Sequence, residues 1–301
     1  MNNQHLPMPN MLLGLVLFYS SMWSLSTMDA SGKWLLGLGT PLITVAWMRY
    51  LAHFGILCVV VLPKHGIQIL RTQAPLFQFL RAFSMLISTL TVFTALHYLP
   101  QAQTTAIAFL APLIMLALAP WVLGEQQRLA RWIAAVIGFA GVLIVIRPGA
   151  GLDPIGVIFA LATAFFFAVQ HLFNRRVAVD SAYTTLIWSG LSGAVVMTVT
   201  LILTWKASVP VLWTFSPFQW LVLVSMGFTG ALGHFLQIKA YQHAPASFLA
   251  PFMYLQITAA SALGWWIWGD FPDLMTWVGI AVIISSGVGI AFYERWTFKN
   301  R

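Results

Sequence analysis

Residues 183–205 read YTTLIWSGLSGAVVMTVTLILTW, twenty-three residues without a single charged side chain. At 1.5 Å per residue such a run makes a helix about 34 Å long, enough to cross a hydrocarbon core of about 30 Å. A membrane strand would be about ten residues long and would alternate apolar with polar side chains. This run is apolar on every side. In lipid the backbone N–H and C=O groups must pair within the segment, and a helix achieves that alone.

Read outward from that run, the same pattern recurs. Breaks at Pro, Gly and charge clusters delimit ten predicted spans: 11–28, 41–62, 76–97, 101–123, 129–146, 155–172, 183–205, 218–241, 246–268 and 274–293. No linker between them is long enough for a soluble domain. Of the 301 residues 60% are hydrophobic and 7% charged, where a soluble globular chain carries about 25% charged residues. Lipid is therefore the expected solvent for most of the surface. The net charge of +8 does not indicate nucleic acid, because Lys and Arg are scattered singly between apolar runs. The first ten residues hold no Lys or Arg, so 11–28 is expected to be a retained span and not a cleaved signal. Cys58 is the only cysteine, which excludes an intrachain disulfide and a cysteine metal cluster.

Scattered basic residues set orientation. With the N-terminus cytoplasmic, the inside loops hold Lys64, Arg71, Arg128, Arg131, Arg175, Arg176, Arg295, Lys299 and Arg301, and the outside loops only Lys33, Arg147 and Lys206. Both termini are expected inside a bacterial-type inner membrane. The chain also repeats itself. A shift of 145 pairs Ala95 with Ala240, Pro100 with Pro245, Leu110 with Leu255, Trp121 with Trp266, Gly124 with Gly269, Glu125 with Asp270 and Trp132 with Trp277. A shift of 141–142 pairs Gly14 with Gly156 and Trp47 with Trp188. Residues 1–149 and 150–301 are thus two five-span halves. Five is odd, so the second half enters the membrane inverted, as in secondary transporters with a site at the midplane between halves.

The motifs that mark the halves are Ala95 to Pro100, Ala111-Pro112, Gly124-Glu125 and Arg147-Pro148-Gly149, then Ala244-Pro245-Ala246-Ser247, Ala250 to Tyr254, Gly269 to Pro272 and Ser285-Ser286-Gly287. Together they resemble the EamA-type branch of the drug/metabolite transporter superfamily, over nearly the whole chain. The second half departs from the first in having Ile257 where the first has Pro112. The resemblance implies a ten-helix carrier with a central cavity, working by alternating access. Relatives of that kind export amino acids and related metabolites, or import vitamins and S-adenosylmethionine.

Several side chains are candidates for the site. Arg49 lies eight residues into the second span, about 12 Å deep, where a charge costs several kcal/mol unless it meets water or a partner. It either anchors a substrate carboxylate or phosphate, or makes a structural pair. Arg81 and Lys239 lie nearer span ends and can snorkel. Of His53, His97, His171 and His234, only His234 is near mid-membrane, beside Gly230 and Gly233. Tyr19 and Trp23 share a face at i, i+4. Phe165 and Phe166 are placed with Gln170, and Tyr254 and Gln256 in the ninth span. The substrate-binding set expected from sequence is Arg49, Trp23, Tyr19, Arg81, Phe166, Gln170, His234, Tyr254 and Gln256. Glu125 and Asp270 read as turn and cap residues, and Asp29 as interfacial.

No His-Glu-x-x-His, Walker or Gly-x-Ser-x-Gly motif is present, so no enzyme, cofactor or metal site is expected. The expectation is a secondary transporter of a small organic solute, amino-acid-like and anionic or zwitterionic with an aromatic part, working in export. The alternative is an uptake carrier for a vitamin or nucleoside-type metabolite such as riboflavin or S-adenosylmethionine. A non-transporting receptor or scaffold would need an extramembrane domain, and none is predicted. The expected partners are the small-molecule substrate and the lipid bilayer; a homodimer is compatible with the reading.

Overall fold

The structure, a computed structural model, describes residues 11–123, 129–147, 151–177, 179–243 and 254–299. Among the described residues there are helices and no strands. In order they are α1 (Met11–Gly37), α2 (Leu42–Val60), a short α3 (Leu62–His65), α4 (Pro75–Tyr98), α5 (Gln101–Ala108), α6 (Ala111–Leu123), α7 (Leu129–Ile146), α8 (Pro154–Arg176), α9 (Ala182–Leu203), a short α10 (Trp205–Ser208), α11 (Pro217–His243), α12 (Gln256–Trp268) and α13 (Leu274–Lys299). Pro75, Pro154 and Pro217 each open a helix, where the missing N–H has no partner to lose. Asp153 caps α8 by accepting from the N–H groups of Ile155 at 2.7 Å and Gly156 at 3.3 Å. Gly269 ends α12 with φ +74°. Its N–H reaches the Trp265 carbonyl, and the Asp270 N–H reaches that of Gly264, the paired closure a left-handed residue permits.

Among the described residues five helices are long and apolar enough to cross a membrane: Leu42–Val60, Pro75–Tyr98, Pro154–Asn174, Ala182–Leu203 and Pro217–Gln237. The distribution of polarity is that of a lipid-facing protein. Leu203, Trp213, Trp266 and Val59 stand exposed, while Arg49, Arg81, Gln78, Gln101, Thr44 and Thr163 are buried.

Two spans differ most from the sequence expectation. First, α1 continues nine residues beyond Met28, to Gly37. The sequence reading puts Asp29 at the interface and Lys33 in an outside loop, but both lie within the helix because each faces protein. Second, the run 101–123 is two helices, α5 and α6, parted at Phe109–Leu110. Pro112 has no N–H to give the carbonyl of Ala108, so the ladder stops there. The segment before α12 lies outside the described residues, and with it the corresponding stretch of the second half. Glu125 also lies outside them.

The principal helix contacts are α1 with α11 and α12, α2 with α9 and α11, α4 with α8 and α9, α8 with α5 and α6, α5 with α12, and α7 with α13. Exchanging α1, α2, α4, α5–α6 and α7, in that order, for α8, α9, α11, α12 and α13 turns every one of these contacts into another or into itself. The pattern reaches single residues. On α7 and α13, Gly141 sits against the backbone of Gly279, and a Cβ on Gly279 would lie 2.7 Å from the Gly141 carbonyl oxygen. The counterparts under the 145 shift, Ser286 and Ala134, are joined by a hydrogen bond from the Ser286 hydroxyl to the Ala134 carbonyl. On α8, Ala160, Ala164 and Ala168 are fully buried at spacings of four, the small-residue seam that lets membrane helices approach closely.

Candidate functional site

A cavity lies where α1, α2, α4, the α5–α6 break, α8, α11 and α12 meet, with about 200 Å³ open to the centres of water-sized molecules. The periodicity of each helix decides what faces it. From α8 come Phe167, Gln170, His171 and Asn174, at i, i+3, i+4 and i+7, one stripe of a helix. From α4 come Arg81, Met85, Ser88, Thr89 and Val92, and from α1 Met22, Leu25, Met28 and Asp29. Arg49, Thr105, Ala108, Phe109, His234, Gln237 and Gln256 complete most of the wall. The parting of α5 from α6 thus falls at the cavity, where irregular backbone is tolerated within a membrane.

Arg49 is 9% exposed, and its partners are weak. Nε donates to the thioether sulfur of Met28 at 3.1 Å, and Nη1 donates to the Thr89 hydroxyl. A thioether is a poor acceptor. The Tyr50 hydroxyl fixes that corner, meeting Thr89 Oγ1 at 2.9 Å and donating to the Met85 carbonyl at 3.1 Å. The rings of Tyr50 and Phe93 lie 5.0 and 5.9 Å from the guanidinium carbon. Among the described residues no carboxylate comes within ion-pair distance of Arg49, and its Nη2 has no hydrogen bond.

Arg81 is held differently. Nε donates to Asn174 Oδ1, and Nη1 to the Ser189 hydroxyl and, at 3.3 Å, to the Thr185 carbonyl. Those bonds tie α4 to α8 and α9, so Arg81 braces the wall as well as lining it. His234 packs its ring edge-on against His53 at 5.9 Å. His234 Nε2, His53 Nε2 and Gln170 Oε1 are buried with no hydrogen-bond partner among the described residues, and buried polar atoms ordinarily have one.

Five of the nine residues expected from sequence line the cavity: Arg49, Arg81, Gln170, His234 and Gln256. Four do not. Tyr19 and Trp23 stay on the outer side of α1, 37% and 36% exposed, with the Tyr19 hydroxyl 3.3 Å from that of Thr258. The inward residue is Met22, because one step along a helix turns the side chain by about 100°. By the same step Phe167 replaces Phe166 on α8. Tyr254 is buried behind the wall, its ring 5.3 Å from that of Phe109 and its hydroxyl against Gly287. The residues sequence reasoning missed are Asp29, Phe167, Asn174 and Gln237. Asp29 is the important one: it is not interfacial but faces the same cavity as Arg49. The i, i+3, i+4, i+7 spacing of Phe167, Gln170, His171 and Asn174 was the available signal on α8.

The ends of the bundle are clasped. At one end the Asp180 carboxylate receives Thr72 Oγ1 at 2.5 Å, the Gln73 N–H at 2.9 Å and Gln78 Nε2 at 2.9 Å. Partial burial raises its pKa, but these three donors outweigh that and leave the carboxyl below its ordinary value. At the other end Lys33 pairs with Asp270 at 3.3 Å and lies 4.6 Å from the Trp268 ring, and Arg147 pairs with Asp273 at 2.7 Å. Thr276 and then Arg147 hold the Asp273 carboxyl at about 2.

Comparison with known proteins agrees with this architecture. A model of the EamA-like transporter family matches residues 12–147 and again residues 154–292. An S-adenosylmethionine uptake transporter of Rickettsia bellii is 29% identical over 293 residues, 96% of this chain and 97% of that protein. A riboflavin transporter of Vibrio cholerae is 30% identical over 270 residues, 87% of this chain and 86% of that protein. A solved crystal structure 18% identical in sequence superposes with a TM-score of 0.62, covering 94% of this chain and 98% of that one; the likeness is one of fold.

Proposed function

The chain belongs to the EamA-like transporter family, and from that premise we propose that this small-metabolite transporter is an uptake carrier for a nucleoside- or vitamin-type solute. Two kinds of relative, one named for S-adenosylmethionine uptake and one for riboflavin, favour this reading over the export of an amino-acid-like solute expected from sequence. The observation that carries it is the cavity wall. Three amide side chains besides Asn174 (Gln170, Gln237 and Gln256) and the ring of Phe167 face one space beside Arg49. Amides match the donor and acceptor edges of a heterocycle, and an aromatic face stacks on it.

The reading includes ten spans in two inverted halves, with both termini cytoplasmic. It draws support from the exchange symmetry of the helix contacts and from the family model fitting each half separately. Substrate would sit between the halves with Arg49, Gln170, His234 and Gln256 as contacts and Arg81 as a partly structural neighbour. Rocking of one half against the other would expose the site to each side in turn, with the Asp180 clasp and the Lys33–Asp270 and Arg147–Asp273 pairs breaking alternately.

Uptake into sealed vesicles containing the purified protein tests the proposal. Labelled S-adenosylmethionine or riboflavin should enter saturably, and Arg49→Ala should reduce entry of an anion-bearing solute while the protein stays folded in detergent. No entry of either compound above protein-free vesicles refutes it.

A further inference from the structure

Arg49 and Asp29 carry opposite formal charges and face one cavity, yet they do not pair with each other. The reason is visible in the hydrogen bonds. Arg49 Nε is turned to the sulfur of Met28, the residue immediately before Asp29, and Nη1 to Thr89, itself fixed by Tyr50. The guanidinium is thereby anchored along one edge. Its Nη2 is left without a protein partner among the described residues, and so is the Asp29 carboxylate. Neither group is satisfied by a carbonyl or an ion pair, although charge inside a membrane protein is costly without one. Arg81, the other cation of the cavity, already has three acceptors.

A group that satisfies both must itself be dipolar, with an anion and a cation a short distance apart. Planar guanidinium nitrogens suit a carboxylate, and a carboxylate accepts readily from an ammonium. We infer that Arg49 and Asp29 form a two-point clasp for the carboxylate and ammonium of an amino-acid head group, so that the cavity favours a nucleoside-type metabolite ending in an amino acid over a neutral flavin. This deepens the uptake reading and rests on it.

Equilibrium binding to the purified full-length protein separates the possibilities. The probes are S-adenosylmethionine, its decarboxylated form, which keeps the ammonium, its 2-oxo form, which keeps the carboxylate, and riboflavin, which has neither. For the wild type, loss of either head-group charge should weaken binding roughly 10- to 100-fold, the value of one charge-assisted hydrogen bond. Asp29→Asn should weaken S-adenosylmethionine and the decarboxylated form by a similar factor and leave the 2-oxo form within about threefold. Arg49→Gln should do the reverse, sparing the decarboxylated form. Should either variant fail to fold, the wild-type series decides alone: equal affinity for the parent and both truncated forms overturns the clasp. So does an Asp29→Asn that weakens all three adenosyl compounds alike, which would assign Asp29 to the sulfonium. Binding of riboflavin without any adenosyl compound overturns the clasp and keeps the uptake reading; binding of none of the four overturns both.

Discussion

The crossing of α7 and α13 offers a sharp test of the packing. Each helix presents a glycine to the backbone of the other. A Cβ on Gly279 would lie 2.7 Å from the Gly141 carbonyl oxygen, 2.6 Å from Val145 Cγ2 and 3.0 Å from the Val145 nitrogen. A Cβ on Gly141 would lie 3.0 Å from both the Gly279 oxygen and the Ile283 nitrogen, and 2.8 Å from Ile283 Cγ1. Ordinary contact begins near 3.4 Å, so Gly279→Ala requires the helices to part by 0.7 Å and Gly141→Ala by 0.4 Å. Backbone is the obstacle in both, and it cannot rotate away as a side-chain tip would. Overpacking of this kind costs about 1–3 kcal/mol, which for a chain of this size lowers Tm by roughly 3–10 °C. Thermal unfolding in mild detergent, followed by tryptophan fluorescence, should give the larger loss for Gly279→Ala. The double variant should lose less than the sum, because the first methyl already opens the room the second needs. Gly55→Ala is the control: nothing lies within 4 Å of its Cβ position. If Gly279→Ala melts within about 1 °C of wild type, where a cost of several degrees is expected, the close crossing is wrong, and the reciprocal glycine contact that extends the exchange pattern to single residues goes with it.

Three further outcomes follow from single contacts. Arg81→Ala should cost about 2–4 kcal/mol by stranding Asn174 and Ser189; a normal Tm with reduced ligand affinity would show instead that Arg81 serves the substrate alone. Asp273→Asn should lower Tm at neutral pH. Its carboxyl is depressed to about 2 from an unfolded value near 3.9, so the stabilisation is complete above about pH 4 and lost as pH falls through 2. The gap between variant and wild type should close over that interval, and a gap independent of pH would remove the ion pair from the account. In a Cys58→Ser background, a cysteine at position 206 should react with an impermeant reagent added outside cells and one at position 175 should not; the reverse pattern places the termini outside.

Much of the fold was legible because the membrane simplifies the code. Length and apolarity announce a span, proline and glycine punctuate it, and the recurrence of Trp121 with Trp266 and Gly124 with Gly269 is the signal on which the proposed doubling rests. What failed was azimuth. Tyr19, Trp23 and Phe166 were chosen for chemistry suited to a site, yet Trp23 and Phe166 each lie one residue from the side chain that faces the cavity, Met22 and Phe167, and Tyr19 shares the outward face of Trp23. In a soluble helix the polar side is the outside and fixes rotation. In a membrane helix apolar residues cover most of the circumference, and only a stripe of polar residues marks the inside. On α8 that stripe is Gln170, His171 and Asn174, and reading it backward by three residues gives Phe167.

Charge was the other source of error, and its cause is physical. Asp29 and Lys33 fall outside the first span in the sequence reading, where an isolated charge in lipid is costly. Folding changes that cost by supplying partners that are remote in sequence. Lys33 meets Asp270, 237 positions away, and Arg147 meets Asp273, also remote along the chain; a local window sees neither. Asp29 and Arg49 are the exception that gives the site its character. Both lie within the bundle, both face the cavity, and among the described residues neither has an opposite charge within ion-pair distance. A structural charge would have been paired, as Lys33 and Arg147 are, or wrapped in acceptors, as Arg81 is. The cost of leaving these two unmatched is offset only when something else brings the matching charges, and in a transporter that something is the solute.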